Sequence, residues 1–227
     1  MKIIARIRTD LPEKFGIPRQ SGLAPHLLGR VIFEEPYRNA EALRGLEGFD
    51  YLWLLWVFSA NLRDTWSPTV RPPRLGGNAR LGVFATRSPF RPNPIGLSSV
   101  KLEAIENTAE YGLTLLVSGA DLMDGTPILD IKPYIPYTDA HPDAAGGFAT
   151  EPDKTLAVVF PPEMLCQLPR KNREGVIEVL SQDPRPHYHQ DPGHVYGLYY
   201  GGWNIRFSVR DNVLTVSGVE KMRDPAE

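Results

Sequence analysis

Short apolar runs separated by turn residues dominate the first two thirds of the chain, a pattern that predicts strands in preference to helices. Residues 1–7 alternate weakly, 27–33 continue in the same style, and 51–58 form an unbroken apolar run that reads as a buried central strand. Within that run Trp53 and Trp56 are expected in the core. Further strands are predicted over 81–86, 98–105 and 113–119, the last two joined as a hairpin around 109–112. Between Tyr37 and Leu46 the apolar spacing becomes Ala40, Leu43, Leu46, which predicts a helix ended by Gly45 and Gly48. The prolines of 68–73 and the pair Gly76-Gly77 force a long irregular connection, and long ordered loops usually carry function. Short strands with turn signals between them predict a barrel or a sandwich.

The pattern changes after a stretch rich in Pro, Asp, Gly and Ala at 141–154, so a domain boundary is expected between 140 and 160. Beyond it, 162–168 and 173–180 read as helices, the second through Val176, Ile177 and Leu180. Strands follow over 195–209, broken at Gly201-Gly202, and over 213–219. A first domain over 1–150 and a small α+β domain over 160–227 result, the second too small to stand alone and expected to pack on the first or on a partner subunit.

Composition narrows the picture modestly. A chain of 227 residues with 42% hydrophobic and 23% charged content is ordinary for a soluble globular protein. Cys166 is the only cysteine, so neither an intrachain disulfide nor a cysteine zinc site can form, and a reducing, cytoplasmic setting fits. No signal-peptide core and no membrane-length apolar run is present, so a membrane partner is not expected.

Charge changes the picture more. The formal net charge is −2, yet residues 63–101 hold six Arg and one Lys against the single acid Asp64, a window of +6. Such segregation suits a phosphate-bearing partner met on one face. Within this window Arg80, Arg87 and Arg91 are interleaved with Pro89, Pro92 and Pro94, so guanidinium groups suited to phosphate or carboxylate sit on a stiffened loop.

The usual nucleotide motifs are missing: no G-x-G-x-x-G and no G-x-x-x-x-G-K-[ST] occurs, which excludes a Rossmann cofactor site and a P-loop. His187, His189 and His194, with Asp183 and Asp191 among them, offer metal-ligand chemistry, but Pro184, Pro186 and Pro192 make the segment a loop with no helical ligand spacing. No metal is expected. Ser88 and Ser98 lack the G-x-S-x-G elbow of a serine hydrolase.

A second constellation spans 121–137. Asp124-Gly125-Thr126-Pro127 has the residues of a tight turn. After it Asp130, Lys132 and Tyr134 alternate, so an extended strand places a carboxylate, an ammonium and a phenol on one face, with Leu129 and Ile131 packing on the other. Either an ordinary surface ion pair or a polar strip lining a pocket satisfies that pattern.

Several segments together resemble the TrmO/TsaA (YaeB-like) family: FGIPRQ at 15–20, LEGFDYLWL at 46–54, RPPRLGGN at 71–78, GVFATRSPFRPNPIG at 82–96 and DGTPILDIKPY at 124–134. The family often has His-Gln where this chain has Ser59-Ala60. The resemblance implies a closed β-barrel that binds S-adenosylmethionine near a homodimer interface, with the small C-terminal domain assisting tRNA binding. It also implies methylation of N6 of N6-threonylcarbamoyladenosine at position 37 of tRNA. By motif, Pro18, Arg19, Gln20, Ser59, Ala60, Arg87, Leu97, Asp124, Gly125 and Thr126 would surround the cofactor. Arg91, Asn93, Asp130, Lys132 and Tyr134 would face the modified nucleoside or its phosphates, and Arg71 and Arg74 would touch tRNA.

Methyl transfer from a sulfonium is an in-line displacement that rests on positioning, with a proton acceptor for N6–H as the main chemical aid. Asp130 is the candidate acceptor, Lys132 and the arginines the candidate partners of the added carboxylate, and Tyr134 or Phe90 a stacking surface. Two other classes stay open: a non-catalytic RNA-binding module, which would not need the Pro18–Gln20 and Asp124–Thr126 elements, and a hydrolase built on the histidine loop.

Overall fold

The computed structural model describes residues 1–61, 65–77, 79–151, 153–185, 191 and 193–222. Its strands are β1 (Ala5–Thr9), β2 (Leu28–Phe33), β3 (Tyr51–Val57), β4 (Thr69–Val70), β5 (Leu81–Gly82), β6 (Ile95–Thr108), β7 (Gly112–Ser118), β8 (Pro127–Pro133), β9 (Ala157–Val159), β10 (Tyr196–Tyr200), β11 (Trp203–Arg210) and β12 (Val213–Lys221). Helices α1 (Pro136–Asp139), α2 (Pro162–Leu165) and α3 (Arg173–Ser181) are short.

Six strands pair in the order β1-β2-β7-β6-β3-β8, and β8 returns to β1, so the sheet closes on itself as a barrel. Closure removes exposed strand edges and encloses Ile7, Val31, Leu52, Leu54, Val100, Leu115 and Ile128, all fully buried. The apolar run 51–58 is thus a central strand, as its sequence predicts. Its alternate residues Leu52, Leu54 and Trp56 face inward, whereas Tyr51 stays exposed and Trp53 half-buried. The hairpin β6–β7 turns between Thr108 and Gly112.

Tyr37–Leu46 does not form the predicted helix. Separate 3-10 turns at Glu35–Tyr37, Ala40–Leu43 and Leu46–Gly48 take its place. The Asn39 side chain accepts from the Glu41 amide at 2.9 Å to start the second turn, and Gly45, at φ +86°, stops any continuation. The apolar spacing still has a purpose, because Tyr37, Leu43 and Leu46 pack against the barrel core. Likewise 81–86 is a strand only over Leu81–Gly82, then a 3-10 turn over Val83–Ala85.

The C-terminal part is a four-stranded sheet in the order β10-β11-β12-β9, with β9 parallel to β12, covered by α3. Its core does not stop at the domain boundary. Leu11, Ala24 and Leu27, from the β1–β2 connection, are buried in one cluster with Leu168, Val176, Leu180, Leu198, Tyr200 and Phe207. Polar ties reinforce this junction: Asn172 Nδ2 donates to Asp10 Oδ2 at 2.5 Å, and the Gly201 amide to the Asp10 carbonyl at 2.8 Å. Burial holds the Asp10 carboxyl above its ordinary value, against the pull of Lys171. The small domain therefore packs on its own barrel and gives the β1–β2 connection its shape.

Candidate functional site

The irregular connection after β3 is a built loop. β4 and β5 form a two-residue ribbon, Thr69 opposite Gly82 and Val70 opposite Leu81, while fully buried Val83 donates its amide to the Pro68 carbonyl at 3.0 Å. Arg91 Nη1 donates to the carbonyls of Thr86 at 3.0 Å and Ser88 at 3.3 Å, so this arginine braces the loop from within. Arg91 and Asn93 do not line the cleft described next.

A cleft of about 1490 Å³ opens between this loop, the residues after Ile17, and the segment leading toward β9. Arg19, Gln20, Arg71, Arg74, Arg80 and Arg87 all line it. Five of the residues assigned from the sequence, Arg19, Gln20, Arg71, Arg74 and Arg87, are thereby brought together from two distant stretches. Gln20 Oε1 accepts a hydrogen bond from Arg87 Nη1 across that gap in the chain. Asp153 enters from the opposite wall, with Oδ2 2.6 Å from Arg19 Nη1 and Oδ1 3.3 Å from Arg74 Nε. One carboxylate thus neutralises part of a wall that otherwise repels itself. Arg71 and Arg80 are exposed and make no ion pair or hydrogen bond among the described residues.

Beside the cleft lies a buried polar chain. Trp56 Nε1 donates to Ser98 Oγ at 2.9 Å, and Ser98 Oγ donates to Asp121 Oδ1 at 2.5 Å. Burial raises the Asp121 carboxyl above the usual range, opposed by the Ser98 hydrogen bond and the charge of Arg87. Gly96 makes the arrangement possible: a Cβ there would fall 2.3 Å from the Trp56 indole.

The other assigned residues lie elsewhere. Pro18 is buried, Ser59 and Ala60 are exposed, and the Ala60 carbonyl accepts from Lys14 Nζ at 2.8 Å. The Asp124 turn is welded to β1: the Thr9 amide donates to Asp124 Oδ1 at 2.9 Å, Arg8 Nη1 pairs with Asp124 Oδ2 at 2.9 Å, and the Gly125 amide donates to the Ile7 carbonyl at 2.8 Å. Gly125 takes φ +76°, and Thr126 Oγ1 closes the turn on the Met123 carbonyl at 2.7 Å. None of these lines the cleft.

Asp130, Lys132 and Tyr134 share the outer face of the barrel, as alternation predicts, but outside the cleft. Lys132 Nζ is 3.0 Å from Asp130 Oδ2, with the two side chains 62% and 46% exposed, the geometry of a surface ion pair. Tyr134 packs its ring 5.5 Å from Trp53 and 6.3 Å from Tyr51. Leu55 links Asp130 on β8 to Leu97 on β6, so Leu97, assigned to the cofactor from the sequence, belongs to this strip and not to the cleft. The expectation that Leu129 packs inward with Ile131 needs correction. A bulge pairs Leu55 with Asp130 but Trp56 with Ile128, so Ile128 and Ile131 join the core and Leu129 does not.

Among the described residues no three metal-ligating side chains converge, and no helix is long and apolar enough to cross a membrane. His187 and His189 lie outside the described residues, and His194 sits edge-on to Tyr196 with centroids 4.4 Å apart. Sequence reasoning missed Asp121, Asp153, Trp66 and Phe84. Asp153 carried no usable signal inside a polar loop, whereas Trp66 and Phe84 stood out only as aromatics within the basic window.

A closed barrel with an arginine-lined cleft, completed by a small α+β unit, defines a class of proteins built without a doubly wound sheet. The family model of the tRNA-methyltransferase O N-terminal domain matches residues 6–140, and that of the TrmO C-terminal domain matches 153–222. The chain belongs to the TrmO family. It is 43% identical over 226 residues to the tRNA (adenine(37)-N6)-methyltransferase of Escherichia coli K12, covering 96% of each chain. It is 48% identical over 172 residues to the enzyme of that name from Eikenella corrodens, covering 75% of this chain and 97% of the relative. A crystal structure of TrmO from Pseudomonas aeruginosa superposes with a TM-score of 0.78 at 37% identity, covering 96% of each chain.

Proposed function

We propose that this protein methylates N6 of adenosine 37 in tRNA, with S-adenosylmethionine as the methyl donor. The single observation that carries this reading in the structure is the arginine-lined cleft of about 1490 Å³ in a chain of this family. That volume exceeds the range of an ordinary small-ligand pocket and suits a cofactor together with a nucleotide. The residues fit the cofactor: Arg19 and Arg87 offer cations for its carboxylate, and Gln20 an amide for its hydroxyls. When bound, S-adenosylmethionine supplies the methyl group.

The protein's own part is to orient and to accept a proton. Arg87, held by its hydrogen bond to Gln20, presents a fixed cation at the cleft wall. Arg71 and Arg74 meet RNA phosphates, and a threonylcarbamoyl group on the target base would bring a carboxylate that the remaining cations, Lys132 included, can pair. Asp130 is the proposed acceptor of the N6 proton. Because it lies on the barrel's outer strip, we assign the working unit to a homodimer in which the strip of one subunit completes the cleft of the other. Half-exposed Leu97 and Tyr51 on that face support such covering. A cytoplasmic location follows from the substrate.

Incubation of the protein with S-adenosylmethionine and tRNA carrying N6-threonylcarbamoyladenosine, followed by nucleoside mass spectrometry, tests the reading. A mass gain of one methyl on that nucleoside is expected; an unmodified product would overturn it. Methylation of unmodified adenosine at the same site would refute the threonylcarbamoyl requirement alone.

A further inference from the structure

Phe84 is 72% exposed and Trp66 49% exposed, large apolar areas for a protein to leave in water without use. The two rings stack on each other, centroids 6.1 Å apart and planes 25° from parallel. They flank one end of the β4–β5 ribbon, just before Thr69 and just after Gly82. At the other end, Arg71 follows Val70 and Arg80 precedes Leu81. Phe84, Arg71 and Arg80 all line the cleft. The other cleft cations have internal partners, Asp153 for Arg19 and Arg74 and Gln20 for Arg87, whereas Arg71 and Arg80 make none among the described residues.

We propose that Phe84, backed by Trp66, is a stacking platform for one unpaired base of the RNA loop beside the target adenosine, with Arg71 and Arg80 holding the flanking phosphates. The inference rests on the tRNA reading above and deepens it by assigning a second nucleotide site. An aromatic face accepts any base, and an unpaired cation a few residues along the same ribbon accepts the phosphate of that nucleotide; single-stranded RNA is commonly held this way. The ribbon's hydrogen bonds and buried Val83 keep both elements in place before RNA arrives, which lowers the ordering cost of binding. A second copy of this chain could also cover exposed rings, but two uncompensated arginines beside them favour a polyanion.

The test measures binding of an anticodon stem–loop RNA, intact or with a single abasic nucleotide at each loop position, to the full-length protein and to Phe84→Ala and Phe84→Leu. Phe84→Ala is expected to weaken the intact RNA by about tenfold, and Phe84→Leu nearly as much, because the ring face and not mere apolarity is lost. At one loop position the abasic RNA should lose a similar factor with wild type and almost nothing further with either variant. Wild-type affinity in both variants, or abasic losses that multiply fully with the Phe84 loss at every position, would overturn the platform while leaving tRNA methylation intact. Loss of self-association in Phe84→Ala, measured by sedimentation, would reassign the rings to a protein interface and overturn it too. Failure of the wild-type protein to bind the stem–loop would sink the platform and the RNA reading together.

Discussion

The arginine cleft and the β8 strip both carry charged side chains named by sequence motifs, yet the fold treats them differently. On the strip, Asp130 and Lys132 neutralise each other two residues apart on β8. In the cleft, five arginines converge from loops, and the carboxylate that restrains two of them, Asp153, lies 134 positions from Arg19 in the chain. A balanced pair on a strand carries no net charge to attract a polyanion; an excess of cations held on stiff loops does. The difference teaches that net charge per site, not the presence of charged residues, separates a surface pattern from a receptor.

The largest effect that can sharpen this contrast concerns catalysis. Asp130→Asn and Arg87→Ala are each expected to slow single-turnover methylation by about 10²-fold, the first by removing the proton acceptor and the second by loosening the cofactor. If strip and cleft belong to different subunits, mixing the two inactive variants should restore activity through hybrid dimers. Wild-type rates in Asp130→Asn would return the strip to the status of a surface pair, worth well under about 1 kcal/mol.

Next in size, Arg87→Ala should weaken S-adenosylmethionine binding by roughly 10- to 150-fold in calorimetry, matching about 1.5–3 kcal/mol for a charge-assisted hydrogen bond. Unchanged affinity in the folded variant removes Arg87 from the cofactor wall. A smaller effect of opposite sign is expected for Asp153→Asn. With Arg19 and Arg74 released, tRNA should bind about threefold more tightly, in keeping with a half-exposed ion pair worth up to about 1 kcal/mol, and the salt dependence should steepen by about one unit. Weaker binding would mean that Asp153 positions these arginines.

The smallest effect is a pH dependence of stability. The Asp121 carboxyl is raised in the folded state, so its contribution is fully present below the unfolded value near 3.8 and is lost as pH rises through the folded value. The stability of Asp121→Asn relative to wild type should therefore improve as pH rises above about 3.8 in urea titrations. A difference that does not move with pH would show that burial does not raise the Asp121 carboxyl.

How legible this was depended on the range of the interactions involved. Strand β3, the β6–β7 hairpin and the Asp124 turn were readable because alternation, turn residues and local hydrogen bonds act over a few positions. The Tyr37–Leu46 segment misled, since its apolar spacing serves the barrel core while Asn39 and Gly45 break the helix. β9 was missed because a three-residue strand draws its identity from the parallel partner β12. At the site, residue type and proline content pointed to the arginines, but no periodicity announces Asp153 as their counter-charge or Asp121 as the buried end of a chain from Trp56. Those roles exist only after distant segments meet.

One such meeting has a consequence for how the protein is made. The barrel closes on itself once β8 has been synthesised, but Leu11, Ala24 and Leu27 wait for α3 and the second sheet, and the His26 amide finds Glu178 across 152 positions. At ribosomal rates that delay is on the order of ten seconds. During it the N-terminal connection lacks the partners that bury Leu11, Ala24 and Leu27 in the complete fold. Arg19 and Gln20 ride on that connection, so that wall of the cleft gains its support only once α3 and the second sheet have been made.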